Sequence, residues 1–290
     1  MFKVLYAILY VVTLLPLRLL YLVSDLIYPV LYYLVRYRRE VVRINLVNSF
    51  PDKPLAEIIR IEKKFYRHFC DLFIESVYAL NMSKAEMDKH VVFNNLDGIE
   101  KLYESTNVGM IMMAHFANWE WISSFSSHFE PEKPLRSVYK QLRNKDIDDL
   151  MYKLRAKYGG KNIEMRDLVK YMLHMTKTAE KGMILMIGDQ RPKRGSSRFE
   201  TTFMNQPTTV IVGTEVLARK FNYPVLYCSI DKLGRGRYSY SFEVISADPQ
   251  SEAEFAITEK YMQHLEADIR RRPELWLWSH DRWKFNRDTK

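Results

Sequence analysis

The sequence predicts a mixed α/β fold with a largely parallel sheet flanked by helices, preceded by an apolar N-terminal membrane-anchor helix. Beyond Glu40, short apolar runs alternate with amphipathic stretches, a pattern typical of crossover units that build a parallel sheet. The 290 residues, 47% of them hydrophobic, suffice for a large core. No repeat or linker divides the chain after residue 40. We therefore expect an anchor over residues 1–40 and one folded domain over residues 41–290.

The N-terminal segment is apolar but interrupted. Between residues 4 and 35 only Arg18 and Asp25 carry charge, and three arginines follow at residues 36–39. The longest uncharged run, residues 4–17, is shorter than the roughly 20 residues of a transmembrane helix, and two prolines interrupt the segment. We expect an interfacial or partly inserted anchor with its arginines against anionic headgroups. A pair of buried core helices is the alternative, and the lack of a small-residue cleavage site disfavours a removable signal peptide.

Periodicity assigns most of the remaining elements. Amphipathic spacing predicts a long helix over residues 55–80, and Ser83 with Glu86 predicts the capped start of a short one. Apolar runs predict strands at residues 91–93, 108–114, 136–140, 183–188 and 224–230. Helical patterns cover residues 96–105, 119–129, 147–158, 168–181 and 210–220. The alternation in GRGRYSYSFEVI predicts a hairpin, and a helix over about residues 252–271 follows it.

Charge, cysteines and motifs limit the classes of function. The formal net charge of +9 favours an anionic partner such as nucleic acid, phospholipid headgroups, a phosphorylated glycolipid or an acidic protein. Cys70 and Cys228 lie far apart and outside any CxxC spacing, so neither a disulfide framework nor a zinc site is indicated, and a reducing compartment is favoured. Covalent serine chemistry and nucleotide binding lack support, because the sequence has no GxSxG elbow and no Gly-rich phosphate loop.

The stretch VGMIMMAHFANWEW, residues 108–121, carries the first candidate site. If residues 108–114 form a strand, His115 lies at its C-terminal end, where ligands of open α/β sheets bind. An unbroken helix would rotate Glu120 about 140° away from His115, so we expect a turn that lets the Glu120 carboxylate accept a hydrogen bond from one ring nitrogen. The other nitrogen is then free to act as a base towards a hydroxyl, at a pKa of about 6.5. The spacing alone equally fits a surface histidine that caps a helix.

Further candidates are polar or aromatic. Asp189 follows a second apolar run and can lie beside His115 if the two strands are neighbours; the alternative is a turn aspartate. Residues 191–198 hold four basic and no acidic residues, which suits phosphate groups of a glycolipid or a phosphopantetheine arm, or a solvated loop. All five tryptophans lie near His115 or within residues 276–283, where they suit a membrane interface, a cleft wall or a core.

HFANWEW resembles the His-x4-Asp/Glu block of bacterial lysophospholipid-type acyltransferases, in the branch that adds the late, secondary acyl chains to lipid A. Four other stretches agree with that family in the same order: RINLVNSFP at 43–51, VYKQLRN at 138–144, GDQRPKRGSSRF at 188–199 and PELWLWSHDRWK at 273–284. The resemblance runs from the N-terminal segment almost to the last residue. It implies a glycerolipid acyltransferase-like fold, with residues 41–290 as the acyltransferase domain.

The resemblance implies an enzyme at the cytoplasmic face of the bacterial inner membrane. It would move an acyl chain from acyl carrier protein, or less often from coenzyme A, to a hydroxyl of a lipid acceptor, above all a lipid A precursor. His115 would be the base and Glu120 its orienting partner, without metal or cofactor and with no nucleic acid as partner. Arg155, which from the residues alone is equally a solvated helix charge, would hold an acceptor phosphate or the thioester oxyanion. The remaining substrate contacts are expected from Asp189, Gln190, Arg191, Arg194 and Asn118.

The sequence departs from the family at one motif and leaves two alternatives open. Phe203-Met204-Asn205 stands where the family usually has Phe-Phe-Gly, so pocket shape and chain-length preference do not carry over from the family. One alternative keeps the chemistry and changes the acceptor to another glycolipid, an aminolipid or a glycerolipid. The other is a basic, membrane-attached protein that binds lipid or nucleic acid without catalysis.

Overall fold

The structure, a computed structural model, describes residues 10, 13–129, 131–195 and 199–287. Its strands are, in chain order, β1 (Val91–Asn94), β2 (Val108–Met113), β3 (Leu135–Tyr139), β4 (Lys161–Glu164), β5 (Gly182–Ile187), β6 (Glu200–Phe203), β7 (Gln206–Thr209), β8 (Val225–Gly234) and β9 (Arg237–Ser246). Its α-helices are α1 (Leu17–Pro29), α2 (Arg39–Ser49), α3 (Leu55–Tyr78), α4 (Lys84–Met87), α5 (Leu96–Ser105), α6 (Lys145–Ala156), α7 (Leu168–Thr178), α8 (Gly213–Phe221), α9 (Ala256–Arg271) and α10 (Lys284–Arg287). A π-helical segment, Val30–Val35, continues α1, and Trp121–His128 and Pro273–Leu275 are 3-10 helices.

Seven strands form a mostly parallel sheet in the order β1-β9-β8-β2-β5-β3-β4, which confirms the predicted fold class. Strands β8, β2, β5, β3 and β4 run parallel to one another, while β9 returns antiparallel to β8 and pairs with β1. All six residues of β2 are buried, because the strand lies in the middle of a sheet that helices cover. Strands β6 and β7 form a separate hairpin.

The register between β2 and β5 sets the position of the candidate site. Val108 pairs with Gly182 and Met113 with Ile187, so both strands end at the same level. His115 and Asp189 each come two residues after the last pair. The two side chains are therefore brought to the same edge of the sheet, as expected from neighbouring strands.

Most predicted elements are present, with displaced ends. Within the helix predicted over residues 119–129, residues 121–128 form a 3-10 helix. The Ser124 hydroxyl donates to the Trp121 carbonyl and the Ser127 hydroxyl to the Ser124 carbonyl. Both contacts reach three residues back, which favours the tighter winding. The sequence did not predict α2, β4, the β6–β7 hairpin or α10. Strand β4 is short and β6 and β7 are polar, so these strands lack the apolar run on which strand prediction depends.

The unusual Met204-Asn205 pair forms the turn of the β6–β7 hairpin. Both residues have positive φ, 50° and 61°, as a two-residue turn of this handedness requires. The Met204 amide donates to the Glu266 carboxylate at 2.9 Å and the Asn205 side chain to the Ser49 carbonyl at 3.0 Å. Asn accepts the left-handed conformation at low cost, so it can replace the glycine usual at this position.

Helix α1 lies against α3 with one face and exposes the other. Buried positions recur at helical spacing on the inner face, while the outer face presents large apolar side chains: Leu19, Leu22, Val23 and Leu26. The segment Leu17–Val35 is long and apolar enough to cross a membrane by length and composition, and 28% of its most apolar stretch is buried. A pair of buried core helices therefore does not describe it. Residues 1–9, 11 and 12 of the expected anchor lie outside the described residues.

Gly182 at the start of β5 lies against a buried arginine of β3. Its φ is +145°, and a Cβ there would lie 1.8 Å from the Arg136 guanidinium, which is buried and donates to the Lys181 carbonyl at 2.8 Å. We expect Gly182→Ala to lower the free energy of unfolding by about 3 kcal/mol, measured by denaturant unfolding. Gly98→Ala in α5, where a Cβ meets nothing within 4 Å, should be neutral or slightly stabilising. Equal stability of the two variants would contradict this account of β5.

Candidate active site

A sharp bend after β2 carries His115, and the C-terminal part of the chain holds it in place. Ala117 has a φ of +48°, and Phe116 forms an antiparallel bridge with Trp276. The Ala117 amide donates to the Leu275 carbonyl at 2.9 Å, and the His115 carbonyl accepts from the residue after Trp276 at 3.1 Å. The backbone around the histidine is therefore fixed on both sides.

His115 is hydrogen-bonded to Asp189. The distance from its Nδ1 to Asp189 Oδ1 is 2.7 Å, and the Trp276 indole N–H donates to Asp189 Oδ2 at 2.9 Å. Asp189 is 3% exposed, while the His115 side chain keeps 21% of its surface exposed. A carboxylate on Nδ1 favours the tautomer that carries its proton there, which leaves the lone pair on Nε2. The expected neighbourhood of Asp189 and His115 is confirmed.

The charges around the pair shift both pKa values. Burial opposes the imidazolium, but the Asp189 carboxylate outweighs burial and raises the pKa of His115, with a smaller contribution from the Glu120 charge. Burial raises the pKa of Asp189, but the His115 charge and the hydrogen bonds from His115 and Trp276 outweigh it and hold that pKa below its usual value. The pair is therefore built to stabilise a proton on the histidine while the aspartate stays ionised.

The expected hydrogen bond between Glu120 and His115 is not formed, and this corrects the sequence interpretation. Both oxygens of Glu120 bind Arg155 on α6, which donates from Nε at 3.1 Å and from Nη2 at 2.9 Å. The Trp119 indole donates to the same carboxylate at 3.2 Å. The physical reason is that the Arg155 guanidinium binds both oxygens of Glu120, whereas the β2–β5 register places Asp189 beside the His115 ring. Arg155 is thus an ion-paired residue of the site and not a solvated charge.

Asn118 is buried behind the bend and does not face the cleft. It is 1% exposed, its side-chain amide donates to Glu75 at 2.7 Å, and its side-chain oxygen accepts from the Trp121 amide at 3.2 Å. The last contact gives a partner to the amide of the first residue of the 3-10 helix that follows, which has none within the helix. Asn118 therefore has a structural contact in place of the substrate contact that we expected.

The basic segment after Asp189 begins at the site and leads away from it. Gln190 lies against the ring, with its Nε2 3.4 Å from His115 Nε2, and both Gln190 and Arg191 line the cleft. The Arg191 and Arg194 guanidinium groups lie 4.6 and 5.7 Å from the centre of the Phe285 ring. Arg194 does not line the cleft, and Arg198 lies outside the described residues.

His280 supports the same segment as a neutral side chain. Its Nε2 accepts from the Arg191 amide at 3.1 Å. Burial lowers the pKa of His280 to about 4, with nearby arginine charges acting in the same direction. The imidazole therefore remains uncharged near neutral pH and fixes the start of the basic segment by accepting a hydrogen bond.

His115 opens into an apolar cleft of about 910 Å³. Its walls come from β3, β5 and α6 and from the stretch before α8, and they are formed mainly by Val138, Leu185, Ile187, Met151, Val210 and Val212. Leu142, Ile147 and Met165 line the cleft and are also exposed, so its rim is apolar. The Phe203-Met204-Asn205 motif does not contribute to these walls. Among the described residues, no group of three or more His, Cys, Asp or Glu side chains is placed to hold a metal ion.

The tryptophans are largely core residues, and one makes a contact in the site that the sequence did not predict. Trp121, Trp276, Trp278 and Trp283 are at most 3% exposed, and Trp119 alone among the five is partly exposed, with its ring centre 5.1 Å from that of His115. The Trp276 indole N–H donates to Asp189 Oδ2, the carboxylate oxygen that does not bind His115. The available signal was weak: a buried indole N–H needs an acceptor, but nothing in the sequence says which.

A comparison with families of known proteins agrees with this geometry. The family model described as bacterial lipid A biosynthesis acyltransferase matches residues 2–285. The match covers both strand ends of the site and the C-terminal segment that holds Asp189. A comparison with individually curated proteins finds no significant match.

The His115–Asp189 pair predicts a characteristic pH dependence. A base must be neutral, so kcat/KM should fall as pH drops through the raised pKa of His115, which lies above 6.5. Asp189→Asn removes the charge that raises this pKa, so the acidic limb should move to lower pH. The plateau should fall by on the order of 10³-fold, because the tautomer is no longer fixed.

Trp276→Phe is the matched control for that measurement. It removes one donor to Asp189 and keeps the carboxylate, so the loss should be about tenfold and the acidic limb should stay above 6.5. An acidic limb that stays in place in Asp189→Asn would contradict the assignment of Asp189.

Proposed function

The chain belongs to the bacterial lipid A biosynthesis acyltransferase family, and from this membership and the geometry of the site we propose that it esterifies a hydroxyl of a lipid A precursor with an acyl chain from acyl carrier protein. The observation that supports the proposal most directly is the His115–Asp189 pair at the mouth of an apolar cleft. A base and an apolar chain site are the two components that acyl transfer to a hydroxyl requires.

The transfer proceeds by direct attack in a ternary complex. His115 Nε2 removes the proton of the acceptor hydroxyl while its oxygen attacks the thioester carbonyl, and Asp189 stabilises the imidazolium. Collapse of the tetrahedral intermediate breaks the carbon–sulfur bond, and the imidazolium returns its proton to the leaving thiolate. Arg155, held by Glu120 at the cleft wall, favours negative charge on the former carbonyl oxygen. The reaction written in this way needs no metal, cofactor or acyl-enzyme.

The acyl donor is proposed on the basis of charge. The net charge is +9, and the exposed Lys140 and Lys193 line the cleft. Arg143 and Lys145 are also exposed and lie in sequence between two residues of its rim. Acyl carrier protein is acidic, so these charges would attract it and orient its thioester towards the cleft. The apolar walls would receive the chain itself.

The membrane is proposed as the site of action. The exposed apolar face of α1 has no covering element among the described residues, and the three arginines of residues 36–39 follow it. Such a helix can lie in or partly enter a bilayer, with the arginines against anionic headgroups of the cytoplasmic leaflet of the inner membrane. Residues 1–40 then act as the anchor and residues 41–290 as the acyltransferase domain.

The function is tested by acyl transfer with purified, detergent-solubilised protein. We expect one added acyl chain on a lipid A precursor, read by product mass, with a higher rate from acyl carrier protein thioesters than from coenzyme A thioesters. His115→Ala should abolish transfer, while His174→Ala, an exposed histidine on α7, should retain it. Full activity of His115→Ala would contradict the mechanism. Product only on a glycerolipid or another glycolipid would change the acceptor and leave the chemistry in place.

A further inference from the structure

A buried hydrogen-bond cluster centred on Glu75 connects the N-terminal helix to the His115 loop. Glu75 lies on α3, is fully buried and accepts three hydrogen bonds from three separate elements. The Tyr21 hydroxyl of α1 donates at 2.7 Å, the Tyr238 hydroxyl of β9 at 2.8 Å and the Asn118 side chain at 2.7 Å. One carboxylate therefore joins the anchor, the hairpin and the loop that follows the histidine.

The connection continues from Asn118 into the loop itself. Asn118 lies between His115 and Glu120 in sequence, and its side-chain oxygen holds the Trp121 amide. The Trp121 indole donates to the Glu75 carbonyl at 3.3 Å, and the Tyr240 hydroxyl donates to the Asn118 carbonyl at 2.6 Å. Because an amide that donates with its nitrogen and accepts with its oxygen cannot be turned over without losing both contacts, Glu75 fixes the orientation of Asn118.

The approach of Tyr21 to this cluster requires a glycine in the hairpin. A Cβ on Gly236 would lie 2.3 Å from the Tyr21 hydroxyl. Nearby, Arg235 ties α1 to α3 by binding both Asp25 and Asp71. Polar contacts, and not apolar packing alone, therefore set the position of α1. One of them, from Tyr21, leads through Glu75 to the His115 loop.

We propose that Glu75 is a positioning residue that couples the docking of α1 to the geometry of the loop carrying His115. A buried carboxylate without a hydrogen-bonded basic partner is costly, and three neutral donors from three elements hold it in place. If α1 is displaced, the hydrogen bond from Tyr21 to Glu75 is lost. Glu75 is then less firmly fixed, and so is Asn118, which Glu75 orients. The inference rests on the proposed role of His115 as the base.

The chain contains a matched control for this coupling. Tyr32, in the π-helical continuation of α1, donates to the buried carboxylate of Glu62 on the same helix α3 at 2.8 Å. Both tyrosines are buried and both bind a carboxylate of α3. Glu62 binds Arg43 and not the His115 loop. Removing either hydroxyl weakens the docking of the anchor, but only removal of the Tyr21 hydroxyl interrupts the path to Asn118.

The experiment compares Tyr21→Phe, Tyr32→Phe and Glu75→Gln in the full chain. Hydrogen exchange of backbone amides in residues 114–121 reports the order of the loop without any turnover. Acyl transfer then gives kcat and KM for each variant. We expect faster loop exchange and a kcat reduced about tenfold in Tyr21→Phe, with KM nearly unchanged. Glu75→Gln should show the same signature more strongly, because an amide nitrogen cannot accept the hydrogen bonds that the carboxylate accepts.

The two readouts separate the coupling from the mechanism. In thermal unfolding, Tyr32→Phe should lose as much stability as Tyr21→Phe. It should nevertheless keep the hydrogen exchange of the loop and the kcat of the wild type. Equal effects of the two tyrosine variants on loop exchange, or unchanged exchange in both Tyr21→Phe and Glu75→Gln, would overturn the coupling. Faster exchange with undiminished kcat would overturn the positioning role as well. Failure of His115 as the base is detected independently, by activity in His115→Ala.

Discussion

The parallel pairing of β2 with β5 determines where the chemistry can occur. With Met113 opposite Ile187, the two strands end together, and the residues two positions further on, His115 and Asp189, lie 2.7 Å apart at Nδ1 and Oδ1. A shift of the register by one residue would separate them, because successive residues leave a strand on opposite faces. The glycine at the start of β5 leaves room for the buried Arg136 of β3, which donates to the Lys181 carbonyl just before β5.

The segments that surround this pair come from distant parts of the chain. The C-terminal stretch supplies the Trp276 indole for Asp189 and backbone partners for the His115 bend, while α3 supplies Glu75 behind the same bend. Because the proposed base is fixed from several sides, little reorganisation is needed at the moment of proton transfer. The Glu120–Arg155 pair differs from the His115–Asp189 pair. It fixes the Arg155 guanidinium at the cleft wall and makes no hydrogen bond to His115.

The sequence predicted the sheet well because β2 and β5 are uninterrupted apolar runs, whereas β4, β6 and β7 lack that signal and were missed. Within the site, the sequence predicted Asp189 beside His115 only on the condition that the two strands are neighbours, and the sheet order meets that condition. Spacing along the chain gave the wrong partner for the ring, since Glu120 is closer in sequence but is bound by an arginine from α6. The burial of Asn118 and the contact of Trp276 depend on tertiary partners that no local pattern encodes.

The most direct test is an NMR titration of the His115 imidazole in the wild type, Asp189→Asn and Glu120→Gln, with the resonance assigned by its loss in His115→Gln. Asp189 and Glu120 both raise the pKa of His115, but Asp189 does so by a direct hydrogen bond and the stronger charge interaction. We expect a pKa above 6.5 in the wild type, a large fall in Asp189→Asn and a small one in Glu120→Gln. A larger fall in Glu120→Gln than in Asp189→Asn would contradict the account.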